Sequence, residues 1–149
     1  MLGRAILAFL LLPGVFAFAI PAVLARLDPW AKPLKLPGLV PLLVGLALLL
    51  WCVRDFYVAG GGTLAPWAPP KNLVVIGLYR WSRNPKHIAV LLLLAGWAVL
   101  FWSPLLVIYA CTVAVAFHLR VVLSEEPWLD QTFGEEWRRY QARAPRWLL

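Results

Sequence analysis

The chain of 149 residues is 62% hydrophobic and only 14% charged. That composition excludes a soluble globular domain with a charged surface and marks an integral membrane protein of one compact unit. Its 14 basic and 7 acidic residues give a formal charge of +7, but basic residues flanking apolar spans are what the positive-inside rule and anionic lipid require, so nucleic acid is not read as a partner.

From Ala5 to Ala25 there is no charge over 21 residues, about 30 Å of helix, which is enough to cross the hydrocarbon. This is the first expected span, about residues 5–26, and Pro13 and Pro21 should kink it. A second charge-free run lies between Lys35 and Arg54, opening on Pro37-Gly38 and closing near Trp51, an interfacial residue by type, and gives the second expected span, about residues 37–54. The third run, Ile88 to Phe117, has 30 uncharged residues and as one straight helix would measure about 45 Å, more than a bilayer core. Phe101-Trp102-Ser103-Pro104 supplies the break, with Pro104 at a first helical position and Ser103 as its cap. The expectation is therefore a helical hairpin, spans three and four, over 87–102 and 104–123. Cys52 and Cys111 lie inside these runs as packing residues, and no metal site is expected.

Four spans place the amino terminus, the 55–86 connection and the tail on one side. That side carries eleven Lys and Arg against three on the other, so it is expected to be cytoplasmic. The connection is long and rich in Gly, Pro and aromatics (GGGTLAPWAPP), and is expected to fold over the mouth of the bundle. In the tail, 124–149, Leu129, Phe133, Trp137 and Tyr140 recur at helical spacing with Arg138, Arg139 and Arg143 beside them. The pattern predicts a helix lying in the membrane interface and starting near Ser124, since Pro127 is tolerated only close to a helix start. The fold class expected is all-α: four transmembrane helices, a hairpin of spans three and four, and a C-terminal interfacial helix.

Because the hairpin doubles back, RNPKH and SEEPW return to the same membrane face. The sequence has no zinc-binding His-Glu-x-x-His, nucleophile elbow, P-loop or dinucleotide fingerprint. Its polar inventory at that mouth is Tyr79, Arg80, Arg83, Asn84, Lys86, His87, His118, Arg120, Glu125 and Glu126. Cations, two carboxylates and an amide together suit a zwitterionic ligand. Taken singly, Arg83, Lys86 and Arg120 also serve as interfacial anchors, and the Glu pair also suits a helix start.

The stretch GGGTLAPWAPPKNLVVIGLYRWSRNPKHIAVLLLLAGWAVLF, followed by FHLRVVLSEEPWLDQTFGEEWRRYQARAPRW, resembles the isoprenylcysteine carboxyl methyltransferase family and the related phospholipid methyltransferases. The resemblance covers roughly residues 60–147 and rests on the order of its parts: Gly-x-Tyr, Arg-Asn-Pro, an apolar hairpin, Glu-Glu, Phe-Gly-x-x-aromatic-x-x-Tyr and a terminal Pro-Arg. It implies methyl transfer from S-adenosylmethionine within the membrane. By position, Lys71, Asn72, Leu73, Val74 and Tyr79 would line the cofactor pocket. Asn84, Pro85, Lys86 and His87 would form its turn, and Glu125 would close it. Arg120 and Glu126 would act at the substrate. Two positions depart from the family pattern, where His87 replaces a usual Tyr and Ala89 a common Gly.

The chemistry needs alignment and desolvation more than a nucleophile or metal, because the sulfonium already activates the methyl group. A carboxylate acceptor needs no general base, whereas an amine or thiol does, and His87, His118 and Glu126 are candidates. The leading expectation is carboxyl O-methylation of an isoprenylcysteine-like, lipid-modified acceptor at a prokaryotic inner membrane. The alternatives are N-methylation of a phospholipid amine and a non-catalytic module that binds lipid or a partner helix. Oligomeric state stays open, since Gly96 and its small neighbours suit packing within the chain or against a second copy.

Overall fold

The computed structural model describes residues 3–4, 7, 11, 13–32, 34–61 and 71–148. All regular structure among them is helical. Helix α1 runs Val15–Leu27, α2 Leu36–Gly60, α3 Pro85–Phe101, α4 Pro104–Phe133 and α5 Glu135–Arg143. A 3₁₀ turn, Gly77–Arg80, lies between α2 and α3. Helices α2 and α4, with 25 and 30 residues, are long and apolar enough to cross a membrane, while α1 and α3 are apolar and shorter. Most of the expected first span before Pro13, and the GTLAPWAPP part of the connection (62–70), fall outside the described residues.

The core forms where α2 lies along α3. Leu49, Ala89, Leu93 and Leu94 are buried there, joined by Ala17 of α1 and Val113 of α4. Glycine sets the closeness of this packing. A Cβ on Gly45 would come within 2.8 Å of the Ala89 carbonyl, and one on Gly96 within 2.6 Å of the Leu42 backbone nitrogen. Small residues thus bring two helix backbones together, which is how helices associate where lipid removes the hydrophobic driving force. Gly96 packs within the chain. Ile108 and Leu123, 62% and 72% exposed, leave α4 an apolar outer face suited to lipid.

The hairpin turns where the sequence breaks. Helix α3 ends at Phe101, Trp102 adopts the left-handed conformation at φ 46°, and the Ser103 hydroxyl accepts from the Leu106 amide at 3.2 Å. Pro104 opens α4. Asp28, from the α1–α2 connection, pins this corner by accepting from the Ser103 hydroxyl and from the Leu105 amide at 3.1 Å. The Lys32 and Lys35 amides donate to the Phe101 and Leu100 carbonyls at 2.7 and 2.6 Å, answering acceptors that the end of α3 would otherwise leave unpaired.

Proline positions coincide with wider turns. Pro21 follows a π-helical turn at Val15–Ala19, where a kink was expected. Pro127 follows another at Val121–Glu125. That second turn corrects the expected helix start at Ser124: α4 continues without interruption to Phe133, because the π turn shifts the carbonyls that the Pro127 ring would strike. The break falls instead at Gly134, φ 56°. Helix α5 then opens on Glu135 and Glu136 and closes on Arg143, charges that complement its dipole. Leu129 and Phe133 therefore sit on one helix and Trp137 and Tyr140 on the next. All four still meet around Leu73 and Ala144, so the apolar side of the tail is turned onto the protein's own 71–84 segment.

Candidate functional site

The hairpin places the start of α3 beside the lower half of α4, at the end opposite Trp102. Along α4 the π turn changes which residues align. In a π turn, residues five apart stack, so Arg120 and Glu125 face each other. The Arg120 Nε donates to Glu125 Oε1 at 3.1 Å. From α3, His87 Nε2 lies 3.7 Å from the same oxygen and Lys86 Nζ 3.5 Å from Oε2. Three basic side chains converge on one carboxylate, leaving the centre a local excess of positive charge. Glu125 is 20% exposed and Arg120 51%, so the cluster opens outward on the Arg120 side.

Successive residues on a helix point about 100° apart, and the two glutamates separate accordingly. Glu126 turns to the tail, where Arg146 grips it with Nε and Nη2 at 2.9 and 3.0 Å. Arg83 Nη1 adds a bond at 3.1 Å. Glu126, expected at the substrate, thus has its carboxylate engaged by two guanidiniums. Arg83 also lies 5.6 Å from the Trp137 ring centroid. Burial pulls its guanidinium below its ordinary range while Glu126 pushes back.

The last residues form a strap over the start of α3. The Arg83 amide donates to the Pro145 carbonyl at 2.9 Å. Asn84 Nδ2 and Ser82 Oγ donate to the Arg146 carbonyl at 3.0 and 3.4 Å. Asn84 is therefore occupied in holding the tail. The strap carries Trp147 to within 6.2 Å of the His87 ring and 6.1 Å of His118, and its indole N–H donates to His118 Nδ1 at 3.4 Å. On its other side the His87 ring packs against Phe117 at 4.4 Å. His87 Nδ1 is buried and has no partner among the described residues.

The other expected cofactor residues divide between two clusters. Val74 and Tyr79 pack with Cys52 and Phe56 of α2, and Lys86 Nζ stands 5.3 Å from the Phe56 ring, which links that cluster to Glu125. Burial pushes the Tyr79 phenol well up, so it stays neutral, and its hydroxyl lacks a partner among the described residues. Leu73 joins the tail cluster instead. Lys71 and Asn72 are exposed, and their amides donate to the Gly60 carbonyl at 2.7 and 3.1 Å. The Tyr140 hydroxyl donates to the Tyr79 carbonyl at 2.7 Å, fixing the turn to α5.

Sequence reasoning passed over Asp55, Arg146 and Trp147. Asp55 is fully buried, with Arg54 3.3 Å from Oδ1, and Oδ2 lies over Gly77. A Cβ there would strike that oxygen and come within 3.0 Å of Trp51 Nε1. With φ at +57°, position 77 needs glycine for two reasons. The terminal Pro-Arg was visible as a motif, but nothing local says that Arg146 reaches a glutamate 20 residues earlier.

A family model described as phospholipid methyltransferase matches residues 36–136, a span holding α2, α3, α4 and both glutamates. No curated protein and no solved structure matches the chain.

Proposed function

The chain belongs to the phospholipid methyltransferase family, and on that premise we propose that it transfers the methyl group of S-adenosylmethionine to the head of a lipophilic acceptor. The family and the two long apolar helices make it a membrane protein. Our reading adds four spans, with both termini and the site on the cytoplasmic side of a prokaryotic inner membrane and α5 at the interface. The carrying observation is the convergence of Lys86, His87 and Arg120 on Glu125 from two helices.

That donor set fits the cofactor. When bound, S-adenosylmethionine supplies a methyl group already activated by its sulfonium. Glu125 accepts from ribose hydroxyls or from the ammonium, while Lys86 and the free edge of Arg120 hold a carboxylate by charge-assisted bonds. Tyr79, Val74 and Pro85 form the apolar wall that excludes water, and the neutral Tyr79 hydroxyl offers one hydrogen bond. Lys71 and Asn72 anchor the 71–84 segment to the end of α2 through the Gly60 carbonyl, Leu73 packs it against the tail, and Asn84 keeps the turn closed through the strap. Arg120 draws an anionic head to the mouth, and the acceptor's lipid tail lies along the apolar outer face of α4. Glu126, bound to Arg83 and Arg146, acts by holding this arrangement.

Two acceptor heads suit the mouth: the carboxylate of an isoprenylcysteine-like molecule, matched by Arg120, and the amine of a phospholipid, matched by Glu125. Calorimetry on the protein in nanodiscs tests the reading. Saturable binding of S-adenosylmethionine is expected, weakened at least tenfold by Glu125→Gln. Radiolabelled methyl recovered as a base-labile ester identifies a carboxylate acceptor, and a base-stable product an amine. Absence of saturable binding refutes the proposal and leaves a lipid- or partner-binding module.

A further inference from the structure

Resting on that methyl-transfer reading, we infer that the strap, residues 144–148, is a gate for the cofactor, latched by Arg146 on Glu126. The polar centre has two sides. On the Arg120 side it opens beside Leu119 and Leu123, both well exposed, so that opening faces lipid and suits the acceptor. A zwitterionic cofactor does not arrive through hydrocarbon, where charge is expensive. It comes from water, at the end of α3, and there the centre is covered: the Lys86 and His87 side chains are 18% and 9% exposed.

Among the described residues two segments cover that end, and they are held differently. The 71–84 segment is tied at several points: to the Gly60 carbonyl, to α2 through Val74 and Tyr79, and to α5 through the Tyr140 hydroxyl. The strap hangs from one end. Its root is fixed, since Ala144 is buried in the tail cluster and its amide donates to the Tyr140 carbonyl at 3.0 Å. Beyond it Pro145, Arg146 and Trp147 are half-buried and Leu148 is exposed, held by the bonds to residues 82–84 and by the Glu126 pair. Trp147 is the cover, standing between the two histidine rings with a long 3.4 Å bond to His118. Arg146 is the latch. Its two bonds to Glu126 are the strongest contact past the root, yet its partial exposure lets solvent compete for them. When the strap lifts at Ala144–Pro145, Glu126 stays paired with Arg83 at 3.1 Å. Opening therefore strands neither the buried guanidinium nor the carboxylate, which keeps its cost low.

The test uses the full chain in nanodiscs and follows capture of radiolabelled S-adenosylmethionine by rapid filtration. Because the gate must open first, the capture rate should level off as cofactor concentration rises. Arg146→Ala should raise that plateau roughly 3- to 10-fold and quicken dissociation by more, so that affinity falls. Arg146→Lys, which keeps the charge and loses the fork, should lie between. A strap that only packs would give faster dissociation with no gain in capture. Fluorine NMR on 5-fluorotryptophan protein, with Trp147→Phe assigning one signal among the 9 tryptophans, reads the motion directly. The Trp147 signal should move toward an open environment in Arg146→Ala and toward a closed one on saturation with S-adenosylhomocysteine. A capture rate that stays proportional to concentration, a plateau unmoved in Arg146→Ala, or a Trp147 signal that neither splits nor shifts overturns the gate and leaves methyl transfer standing. A wild-type chain that does not bind S-adenosylmethionine overturns the methyl-transfer reading, and the gate with it.

Discussion

Replacing Glu126 tests how the tail is held. Its carboxylate lies between Arg146, 35% exposed, and Arg83, 9% exposed. Glu126→Gln removes the anion from both and strands the Arg83 guanidinium under Trp137, where solvent is scarce. Breaking a buried pair from one side costs about 3–5 kcal/mol. Arg146→Ala leaves Arg83 and Glu126 paired at 3.1 Å and removes a partner that is partly solvated, so its expected cost is nearer 1 kcal/mol. Unfolding in mixed detergent and SDS micelles, followed by tryptophan fluorescence, gives both values. Cofactor affinity should fall in both variants, because the strap carrying Trp147 hangs from this clamp. Equal losses, or a larger loss in Arg146→Ala, would refute the argument from burial.

Asp28→Asn should destabilise the hairpin corner by about 1–3 kcal/mol, the usual cost of losing charged hydrogen bonds. The Ser103 hydroxyl bond, foremost, holds the Asp28 carboxyl below its ordinary 3.8. Its stabilisation is thus complete above that pH and is lost as the pH falls through the lower folded value. Acid titration of unfolding should show this decline in the wild type and not in the variant. Gly96→Leu should force α2 from α3 at the Leu42 backbone and cost about 1–3 kcal/mol or more, read by the same unfolding assay. Gly77→Ala should disturb the Tyr79 turn through its positive φ and the Asp55 carboxylate, and a shift in Tyr79 and Trp51 fluorescence with loss of cofactor binding checks it.

The positions of the helices were legible because each depends on neighbours in sequence. Charge-free runs marked the apolar helices, and Trp102-Ser103-Pro104 marked the turn through a cap and a proline whose effects are local. The same turn implied that Asn84–His87 and the Glu pair would come together, since a hairpin of equal arms returns its ends to one place. What each residue does on arriving there was not legible. Two adjacent glutamates look alike in sequence. A π turn at Val121–Glu125, just before Pro127, aims Glu125 at the basic cluster and Glu126 at the tail. The helix break at Gly134 was hidden for a similar reason, because the spacing of Leu129, Phe133, Trp137 and Tyr140 satisfies one long helix as well as two that fold together.

The amino-acid sequence by itself determined that the chain is helical and apolar and where it reverses, because hydropathy, proline and capping act within a few residues. Only the tertiary structure decided that Asp55 is buried beneath Gly77, that Arg146 returns to Glu126, and that Trp147 closes on His87. Those contacts join residues far apart along the chain, and their energies depend on burial and direction, which no local pattern encodes.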